Sequence, residues 1–379
     1  ILETIPNGIV GLVPTKSCTE MGAMVDQYLT TWREHREHEH QHDAAFKDYH
    51  KETYVIPVSN PRFGSGEAKC VINQSIRGLD LYILVDVTNW SLTYKLCGHE
   101  NHMSPDDHYQ DLKRIIAAIA GKARRINVIM PFLYESRQHK RSSRESLDCA
   151  LALQELVSMG VDNIITFDAH DERVANAIPL AGFESLPTTY QIIKEMYRQV
   201  PDLSFSSGKF MIISPDEGGI GRAMYYASIL GVPLGTFYKR RDYTTIINGK
   251  NPIVAHEFLG DDVEGKDVII VDDMIASGES MLDVAKQLKE RKARRVYALA
   301  TFGLFTAGLD IFDKAHEDGI IEKVITTNLT EHTLNEIKKI APHEAISTVL
   351  TQTLRTDDMR EMEKVLVMID KLLAAVPFF

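Results

Sequence analysis

Residues 268–280 read VIIVDDMIASGES, and this stretch decides the predicted fold. Its first four residues are a β-branched run that is typical of a buried strand. Two acids, Asp272 and Asp273, follow where this strand should end, and apolar residues recur at helical spacing after residue 280. Between the acids and the helix lies a loop of mostly small residues: Ala276, Ser277, Gly278, Glu279 and Ser280. Strand, acids, loop and helix in this order are typical of an α/β protein that holds a phosphorylated sugar.

The chemistry of this segment suits a sugar phosphate. The backbone N–H groups of the loop and of the helix N-terminus can hold the phosphate. The carboxylates of Asp272 and Asp273 can accept hydrogen bonds from ribose hydroxyls or hold Mg²⁺ through water. Many buried strands also end in Asp at a turn, so a purely structural interpretation of the acid pair stays open.

At least five apolar runs predict strands, and each of them ends in polar residues. They are residues 81–89, 126–138, 163–171, 209–219 and 267–274. Helix-like segments alternate with them, at residues 108–122, 145–159, 187–200, 219–230 and 280–291. Such alternation implies parallel sheets with right-handed crossovers, and ligands gather beyond the carboxyl ends of their strands. The predicted fold class is therefore α/β, with the polar signatures gathered in one zone.

The composition is that of a globular protein with two domains. The chain has 379 residues, of which 44% are hydrophobic and 25% are charged, so it can bury two cores. A net charge of −11 argues against non-specific nucleic-acid binding, which needs a basic footprint. No apolar run approaches the roughly 18 residues of a membrane span, and no secretory-signal pattern opens the sequence. The four cysteines form no CxxC pair, which favours reduced thiols in a cytoplasmic protein.

A His-rich run at residues 34–42 stands apart from this alternation. His35, His38 and His42 fall on one helical face, which permits a metal site. A solvated helix or insertion is the favoured interpretation, because no partner ligands are identifiable. Residues 98–108 predict a polar loop that leads into a helix.

A basic segment follows the strand predicted at 126–138. Arg137, Lys140, Arg141 and Arg144 place four cationic residues within eight positions. Such a cluster suits a triphosphate, because arginine forks pair with phosphate oxygens. An exposed basic loop explains the pattern equally well.

Six segments together resemble ribose-phosphate diphosphokinases (PRPP synthetases), and the acid-pair segment also resembles type I phosphoribosyltransferases. They are FGSGE (63–67), PFLYESRQ (131–138), DAHD (168–171), SPDEGG (214–219), KRR (239–241) and VDDMIASGES (271–280). The resemblance runs in the family's order from about residue 60 to residue 330. The first 50 residues, residues 98–108 and the tail after 345 match the family poorly.

The resemblance implies sites for MgATP and for ribose 5-phosphate. It assigns ATP contacts to a loop that cups adenine in the family, often across a subunit boundary, and to the basic segment: Phe63, Ser65, Gly66, Glu67, Arg137, Gln138 and Lys140. It assigns ribose 5-phosphate to Asp272, Asp273 and the loop of residues 276–280. It further implies that His170 and Asp216 hold Mg²⁺ and that Lys239 and Arg241 stabilise the transferring group. Residues 242–258 are then expected to be a loop that closes on substrate.

Several positions depart from the family's pattern, and four of them bear on the activity. Ser65 stands in place of an amide or carboxylate, and His139 in place of Asp. Ala276 replaces the loop acid, and Glu279 replaces a small residue. These substitutions keep open one alternative, a non-catalytic regulatory paralogue. A phosphoribosyltransferase that consumes PRPP is a second alternative, but its expected architecture does not explain the segments at 63–67 and 131–141.

The resemblance implies two phosphoribosyltransferase-like domains, each a largely parallel sheet flanked by helices. We expect the ATP side in residues 1–184, joined by a C-terminal helix at 346–379, and the ribose 5-phosphate site in residues 185–345. The implied activity is the transfer of diphosphate from MgATP to O1 of ribose 5-phosphate, which gives PRPP and AMP for nucleotide biosynthesis. A cytoplasmic homo-oligomer, dimer or hexamer, with Mg²⁺ as cofactor and with no nucleic-acid or membrane partner, completes the expectation.

Overall fold

The computed structural model describes residues 8–39, 50–200, 202–203, 205, 208–241, 253–330 and 346–348. Two largely parallel sheets organise this part of the chain, one of five strands and the other of seven. Helices flank both sheets, so the predicted α/β class is confirmed. No helix within the described ranges is both long and apolar enough to cross a membrane.

The five-stranded sheet has the order β1-β4-β7-β8-β9, and all its pairings are parallel. Its strands are β1 (Val10–Pro14), β4 (Asp80–Leu84), β7 (Arg125–Ile129), β8 (Asn163–Phe167) and β9 (Gly182–Leu186). Its helices are α1 (Thr19–Glu39), α2 (Pro105–Ile119) and α3 (Asp148–Ser158). Leu81, Val128 and Leu112 are fully buried in the core that the sheet forms with α2 and α3. The domain boundary predicted after residue 184 falls inside β9.

Helix α2 begins three residues before the predicted position because its N-terminus is capped. The Ser104 side chain accepts the N–H of Asp107, and the Asp107 carboxylate accepts the N–H of Ser104. Pro105 occupies the first turn, where its missing N–H is tolerated.

The seven-stranded sheet has the order β12-β11-β10-β13-β14-β15-β16, and among its described pairings only β11 with β12 is antiparallel. Its strands are β10 (Phe210–Ser214), β11 (Leu234–Arg241), β12 (Ile253–Leu259), β13 (Asp267–Ile275), β14 (Arg295–Gly303), β15 (Lys323–Thr327) and β16 (Ile346–Thr348). Its helices are α4 (Thr189–Gln199), α5 (Ile220–Leu230), α6 (Glu279–Glu290) and α7 (Asp310–Glu317). Residues of α4 and α5 share one core with this sheet, and residues of α6 and α7 share the other. Strand β13 lies at the centre, which explains its continuous β-branched run.

Two antiparallel hairpins lie outside these sheets. The shorter one pairs β2 (Val58–Ser59) with β3 (Val71–Ile72). The longer one pairs β5 (Thr93–Leu96) with β6 (His99–His102). The polar loop predicted at 98–108 was therefore wrong for His99–His102, which form β6, whereas the helix into which it leads is confirmed as α2.

Other predictions are changed in part. The loop predicted at 242–258 is wrong for residues 253–258, which belong to β12 and pair with β11; residues 242–252 lie outside the described part. Residues Ile346–Thr348 are a strand beside β15, and the rest of the helix predicted at 346–379 lies outside the described residues. In the His-rich run, α1 extends to Glu39 and includes exposed His35, while His42 lies outside the described part.

Candidate active site

A cavity of about 420 Å³ lies where strands of both sheets end. The residues that follow β8, β10 and β13 contribute to its wall. Its lining includes His170, Asp216, Asp272, Asp273, Ala276, Ser277, Gly278, Ser280, Arg137 and Arg222. The cavity thus collects most of the residues predicted for the metal and for ribose 5-phosphate, as expected for the carboxyl ends of parallel strands.

The carboxylate of Asp273 links the two sheets at this cavity. Its Oδ2 atom lies 2.7 Å from Nδ1 of His170, and Asp273 is only 2% exposed. The hydrogen bond to Asp273 raises the pKa of His170. Burial alone would raise the pKa of Asp273, but the bond to His170 and the charge of Arg222 outweigh burial and hold this pKa below its usual value. The contact fixes the imidazole ring and directs Nε2 toward any further ligand.

Arg222, in the first turn of α5, forms a second link between the sheets. Its Nε donates to Oδ1 of Asp168 at 2.8 Å, and Thr301 Oγ1 donates to Oδ2 of the same carboxylate at 2.6 Å. Asp168 directly follows β8, with a left-handed φ of 40°. Burial raises the pKa of Asp168, which makes the guanidinium of Arg222 its essential counter-charge.

Sequence reasoning missed Arg222. Asp168 and Arg222 are 54 residues apart, so no local spacing could reveal their contact. The one available signal was the position of Arg222 three residues after the SPDEGG segment, in the first turn of a predicted helix.

The loop after β13 has the form of an anion site. Gly278 precedes α6 with a φ of 90°, and a Cβ atom there would collide with the ring of Phe312, so only glycine fits. No side chain of the described residues caps α6 at Gly278, which leaves the first N–H groups of the helix for a ligand. Ser277 and Ser280 line the cavity beside them. Glu279 is exposed and is not part of the lining of this cavity.

Asp272 is the less compensated member of the acid pair. Its Oδ1 accepts the backbone N–H of Asp273 at 2.9 Å. Burial, reinforced by the charge of Asp273, raises the pKa of Asp272 well above its usual value. A ligand that supplies hydroxyl donors or a cation would relieve this cost.

The donor set at the cavity fits Mg²⁺. Asp216 Oδ1 accepts the N–H groups of Gly218 and Gly219 at 2.9 and 3.2 Å, which fixes the carboxylate above the turn before α5. Within the described ranges, no group of three or more His, Cys, Asp or Glu side chains is arranged to hold a metal ion unaided. Mg²⁺ needs few protein ligands and completes its shell with phosphate oxygens and water, so Asp216 with His170 and the neighbouring acids suffices.

Of the basic segment, Arg137 reaches the cavity. Its Nε and Nη2 atoms lie 3.1 and 2.8 Å from Sδ of Met274, the residue after the acid pair. Gln138 and Lys140 are not among the lining residues. The Gln138 Nε2 atom donates instead to the carbonyl oxygen of Ser146 at 2.7 Å, which closes the basic loop on itself.

A second cavity, of about 550 Å³, shares Arg137 with the first. Its wall is largely aromatic and apolar, and it comes from the ends of both sheets. The lining includes Trp90, Phe132, Tyr134, Leu304 and Phe305. Nothing in the sequence pattern predicted this cavity, because its aromatic residues are far apart along the chain.

The predicted adenine loop lies elsewhere in the same chain. Phe63, Ser65, Gly66 and Glu67 line neither of these two cavities. The loop packs instead against the β5–β6 hairpin, where the Cys97 N–H donates to the Gly64 carbonyl at 2.9 Å. Phe63 is 52% exposed.

The two predicted catalytic cations lie on β11. The strand continues through Lys239 and Arg241, and Lys239 is paired with His256 of β12. The side chains of Lys239 and Arg241 are outside the described part, so their predicted roles stay predictions.

Two largely parallel sheets flanked by helices, with an acid pair and a glycine-dependent loop at a strand end, define the phosphoribosyltransferase class of fold. Residues 11–160 match the family model of the N-terminal domain of ribose phosphate pyrophosphokinase, and residues 183–319 match that of the phosphoribosyl transferase domain. The chain belongs to the ribose-phosphate pyrophosphokinase family.

Curated relatives agree with this assignment. A ribose-phosphate pyrophosphokinase of Gloeobacter violaceus is 31% identical over 276 residues, which cover 72% of this chain and 74% of the relative. One from Vibrio cholerae is 29% identical over 273 residues, or 70% of this chain and 76% of the relative. Ribose-phosphate pyrophosphokinase B of Dictyostelium discoideum is 28% identical over 301 residues, or 78% of this chain and 85% of the relative.

A solved structure supports the fold. The phosphoribosylpyrophosphate synthetase of Mycobacterium smegmatis superposes with a TM-score of 0.67 over 92% of this chain and 98% of that chain. The two sequences are 21% identical, so this likeness speaks for the architecture.

Proposed function

We propose that this protein transfers the diphosphoryl group of MgATP to O1 of ribose 5-phosphate and releases PRPP and AMP. The observation that carries the proposal is the 420 Å³ cavity, which places the phosphate loop, the acid pair, His170 and Asp216 around one space. A pentose monophosphate and a metal-bound triphosphate must meet within reacting distance for this transfer, and these groups supply both halves of such a site.

Ribose 5-phosphate binds at the carboxyl end of β13. The 5-phosphate accepts hydrogen bonds from the first N–H groups of α6 and from the hydroxyls of Ser277 and Ser280, with Ala276, Gly278 and Glu279 completing the loop. Asp272 accepts hydrogen bonds from the ribose hydroxyls. Asp273 shares this task and also orients His170 through their 2.7 Å contact.

Mg²⁺ would be held by His170 and Asp216, partly through water. When bound, it would neutralise negative charge that grows on the transferring phosphoryl oxygens. The chain's own contribution at this point is a fixed imidazole and a fixed carboxylate, each already held by a hydrogen bond.

ATP binds across two copies of the chain in this proposal. Arg137, with Gln138 and Lys140 nearby, receives the triphosphate from one copy. Adenine is then met by Phe63, Ser65, Gly66 and Glu67 of a neighbouring copy, since this loop lies outside both cavities of its own chain. A homo-oligomer, dimer or hexamer, follows from this arrangement.

The transfer forms a bond between O1 and the β-phosphorus and breaks the bond from that phosphorus to the oxygen bridging to the α-phosphorus, and the proton of the O1 hydroxyl is released to solvent. AMP leaves with the bridging oxygen. Lys239 and Arg241 on β11 stabilise the negative charge that develops there.

Replacing Lys239 by Ala should lower turnover by about 10³–10⁵-fold, by analogy with arginine fingers. Turnover close to wild type, with substrate affinities unchanged, would show that Lys239 has another role.

The decisive assay measures AMP release from MgATP with and without ribose 5-phosphate. Release that requires ribose 5-phosphate and yields PRPP without any nucleobase supports the proposal. A protein that binds both substrates without releasing AMP would be a non-catalytic paralogue. Consumption of PRPP in the presence of a nucleobase would instead indicate a phosphoribosyltransferase.

We further propose a division of labour between two domains, residues 1–184 for ATP and 185–345 for ribose 5-phosphate. We expect the reaction to take place in the cytoplasm, where its product would serve nucleotide biosynthesis. Two separately expressed halves, divided after Leu186 so that β9 stays whole, would support the division if each binds its own substrate.

A further inference from the structure

We propose that the β5–β6 hairpin is a positioning element for nucleotide recognition, because it holds the loop of residues 62–67 in one shape. The inference rests on the proposed function, in which this loop contacts adenine. The β6 half of the hairpin falls in residues 98–108, which match the family poorly. The family's pattern therefore assigns no role to it, and the contacts within this chain indicate one.

The tip of the hairpin is tied to the loop backbone. Cys97 and Gly98 have φ angles of 50° and 86°, as the two-residue turn of a tight hairpin requires. The Cys97 N–H, at this tip, donates to the carbonyl oxygen of Gly64 at 2.9 Å. The turn geometry thus fixes the donor that holds the middle of the loop.

One face of β5 supports the loop from below. Tyr94 and Leu96 are half-buried, whereas Lys95 between them is exposed on the opposite face. Gly66 has a φ of 89°, and a Cβ atom there would lie 2.8 Å from Cδ1 of Leu96. The loop therefore packs directly on the Leu96 side chain, with no room for a larger residue at Gly66.

The entry of the loop is anchored by Arg62. Its guanidinium lies 4.3 Å from the centre of the Tyr94 ring, a cation–π contact. The same group is 3.3 Å from the carboxylate of Asp111 and 3.5 Å from that of Asp107, both on α2. Arg62 therefore joins the loop to the hairpin and to the helix of the first sheet.

These contacts leave the side chain of Phe63 outward on a fixed backbone. The Phe63 N–H donates to the Glu67 carbonyl at 2.8 Å, and the Gly66 N–H donates to the Phe63 carbonyl at 2.9 Å. Phe63 nevertheless remains 52% exposed. An exposed aromatic ring on an ordered loop can stack on a base without a further ordering penalty, so the hairpin strengthens nucleotide binding through preorganisation.

The test combines hydrogen exchange with direct binding in the full chain. Hydrogen exchange of a peptide covering residues 60–68 reports loop order, and calorimetry with α,β-methylene-ATP reports nucleotide affinity without turnover. In Tyr94→Leu we expect faster exchange in this peptide and a Kd about three- to tenfold higher, the range of a lost cation–π contact. In Leu96→Ala we expect the same two changes, because the variant removes the side chain on which Gly66 packs. Tyr94→Phe keeps the ring and should restore both readouts, and Lys95→Ala should change neither. Affinity for ribose 5-phosphate should stay constant in all four variants.

The outcomes separate this inference from the proposed function. Phe63→Ala removes the ring that would contact the base. It should raise the Kd of the analogue and leave hydrogen exchange outside residues 60–68 unchanged. If Phe63→Ala weakens binding while Tyr94→Leu and Leu96→Ala do not, the hairpin has no positioning role and the proposed function stands. Faster exchange with unchanged Kd also overturns the inference. If Phe63→Ala binds the analogue with the same Kd as the wild type, the loop does not contact the nucleotide. The assignment of adenine to this loop then fails, and the inference fails with it.

Discussion

Buried acids at the amino ends of the parallel strands are paired with arginines more completely than those at the carboxyl ends. At the amino ends, Arg125 donates to both carboxylate oxygens of Asp80, at 2.9 and 2.6 Å, in the first sheet. In the second sheet, Arg294 and Arg295 both bond to Asp267. Each acid is matched by at least one arginine of its own, and the arginines outweigh burial so that the pKa of Asp267 is lowered.

At the carboxyl ends, acids outnumber their cations. Asp168, Asp272 and Asp273 share the field of Arg222, and Asp273 has His170 in addition. Here the effect of burial on Asp168 and Asp272 exceeds that of the charge of Arg222, and both pKa values are raised. The fold thus completes its charge pairs where only stability is needed and leaves charge uncompensated where a ligand binds, a pattern that marks functional sites.

Among the changes that compare the two strand ends, the largest effect is expected at Arg222. Arg222→Gln removes the counter-charge of Asp168 and of the acid pair, and it should lower kcat/KM for ribose 5-phosphate by about 10²–10³-fold, as for other preorganised donors. Steady-state kinetics with thermal melting measures this. The matched change at the opposite end, Arg125→Gln, should lower the melting temperature and leave kcat/KM of the folded enzyme unchanged. Equal kinetic losses in both variants would contradict the distinction between the two ends.

Asp267→Asn removes the carboxylate that pairs with both Arg294 and Arg295 at the amino ends of the strands. It should reduce the free energy of unfolding at pH 7 by about 1.5–3 kcal/mol, the range for hydrogen bonds to charged groups. The folded pKa of Asp267 lies below its unfolded value, so its stabilisation is complete above the unfolded pKa and is lost as pH falls through the folded pKa.

Urea unfolding across a pH series checks this sign. The difference between wild type and Asp267→Asn should stay constant from pH 7 to about pH 5 and shrink below about pH 4. A difference that grows as the pH falls would mean that Asp267 does not act as a paired carboxylate.

Two glycines flank β13, one at each end. They allow the amino and carboxyl ends of this strand to be compared through substitutions that change no charge. Gly278 at the carboxyl end has a φ of 90° and faces the Phe312 ring, while Gly265 at the amino end has a φ of 72° and open space around it. Gly278→Ala should therefore destabilise the protein by about 1–3 kcal/mol more than Gly265→Ala, because only the first adds overpacking to backbone strain. Urea unfolding measures the difference, and ribose 5-phosphate binding should be weakened only in Gly278→Ala. Equal destabilisation would show that the Phe312 contact yields easily.

The smallest effect is expected at Arg294. Its side chain is 53% exposed, and Arg295 still holds Asp267 when it is removed. Arg294→Ala should lower the free energy of unfolding by about 0.5 kcal/mol, as for other surface ion pairs. A loss of unfolding free energy as large as that of Asp267→Asn would show that Arg295 alone does not hold the Asp267 carboxylate.

The sequence predicted the part of the site that is local in the chain. The strand, acid pair and loop of residues 267–280 follow one another within a single βα unit, so their spacing fixes their geometry. Contacts between the sheets could not be read in this way: His170 and Asp273 are 103 residues apart, and Arg137 and Met274 are 137 apart. Their encounter depends on how the two sheets pack.

Strands with few apolar residues or with polar residues among them were the main failure within the fold. β5 and β6 have four residues each, and their few apolar residues, Tyr94 and Leu96 among them, are too sparse for a recognisable alternation. β12 mixes His256 and Glu257 with apolar residues, and its pairing with β11 rather than its own pattern makes it a strand. Both errors fall on strands whose order is imposed by a neighbour.

The turn of the β5–β6 hairpin also gives the protein a natural attachment point for a fluorophore. All four cysteines lie in the described part of the chain; Cys18 and Cys149 are buried, Cys70 is partly buried, and Cys97 is exposed. Burial raises the pKa of Cys70 to about 11 and that of Cys149 to about 12, and the thiolate is the species that reacts with maleimides. A dye added at neutral pH should therefore label Cys97 first, and it would report on its immediate surroundings without any engineered cysteine.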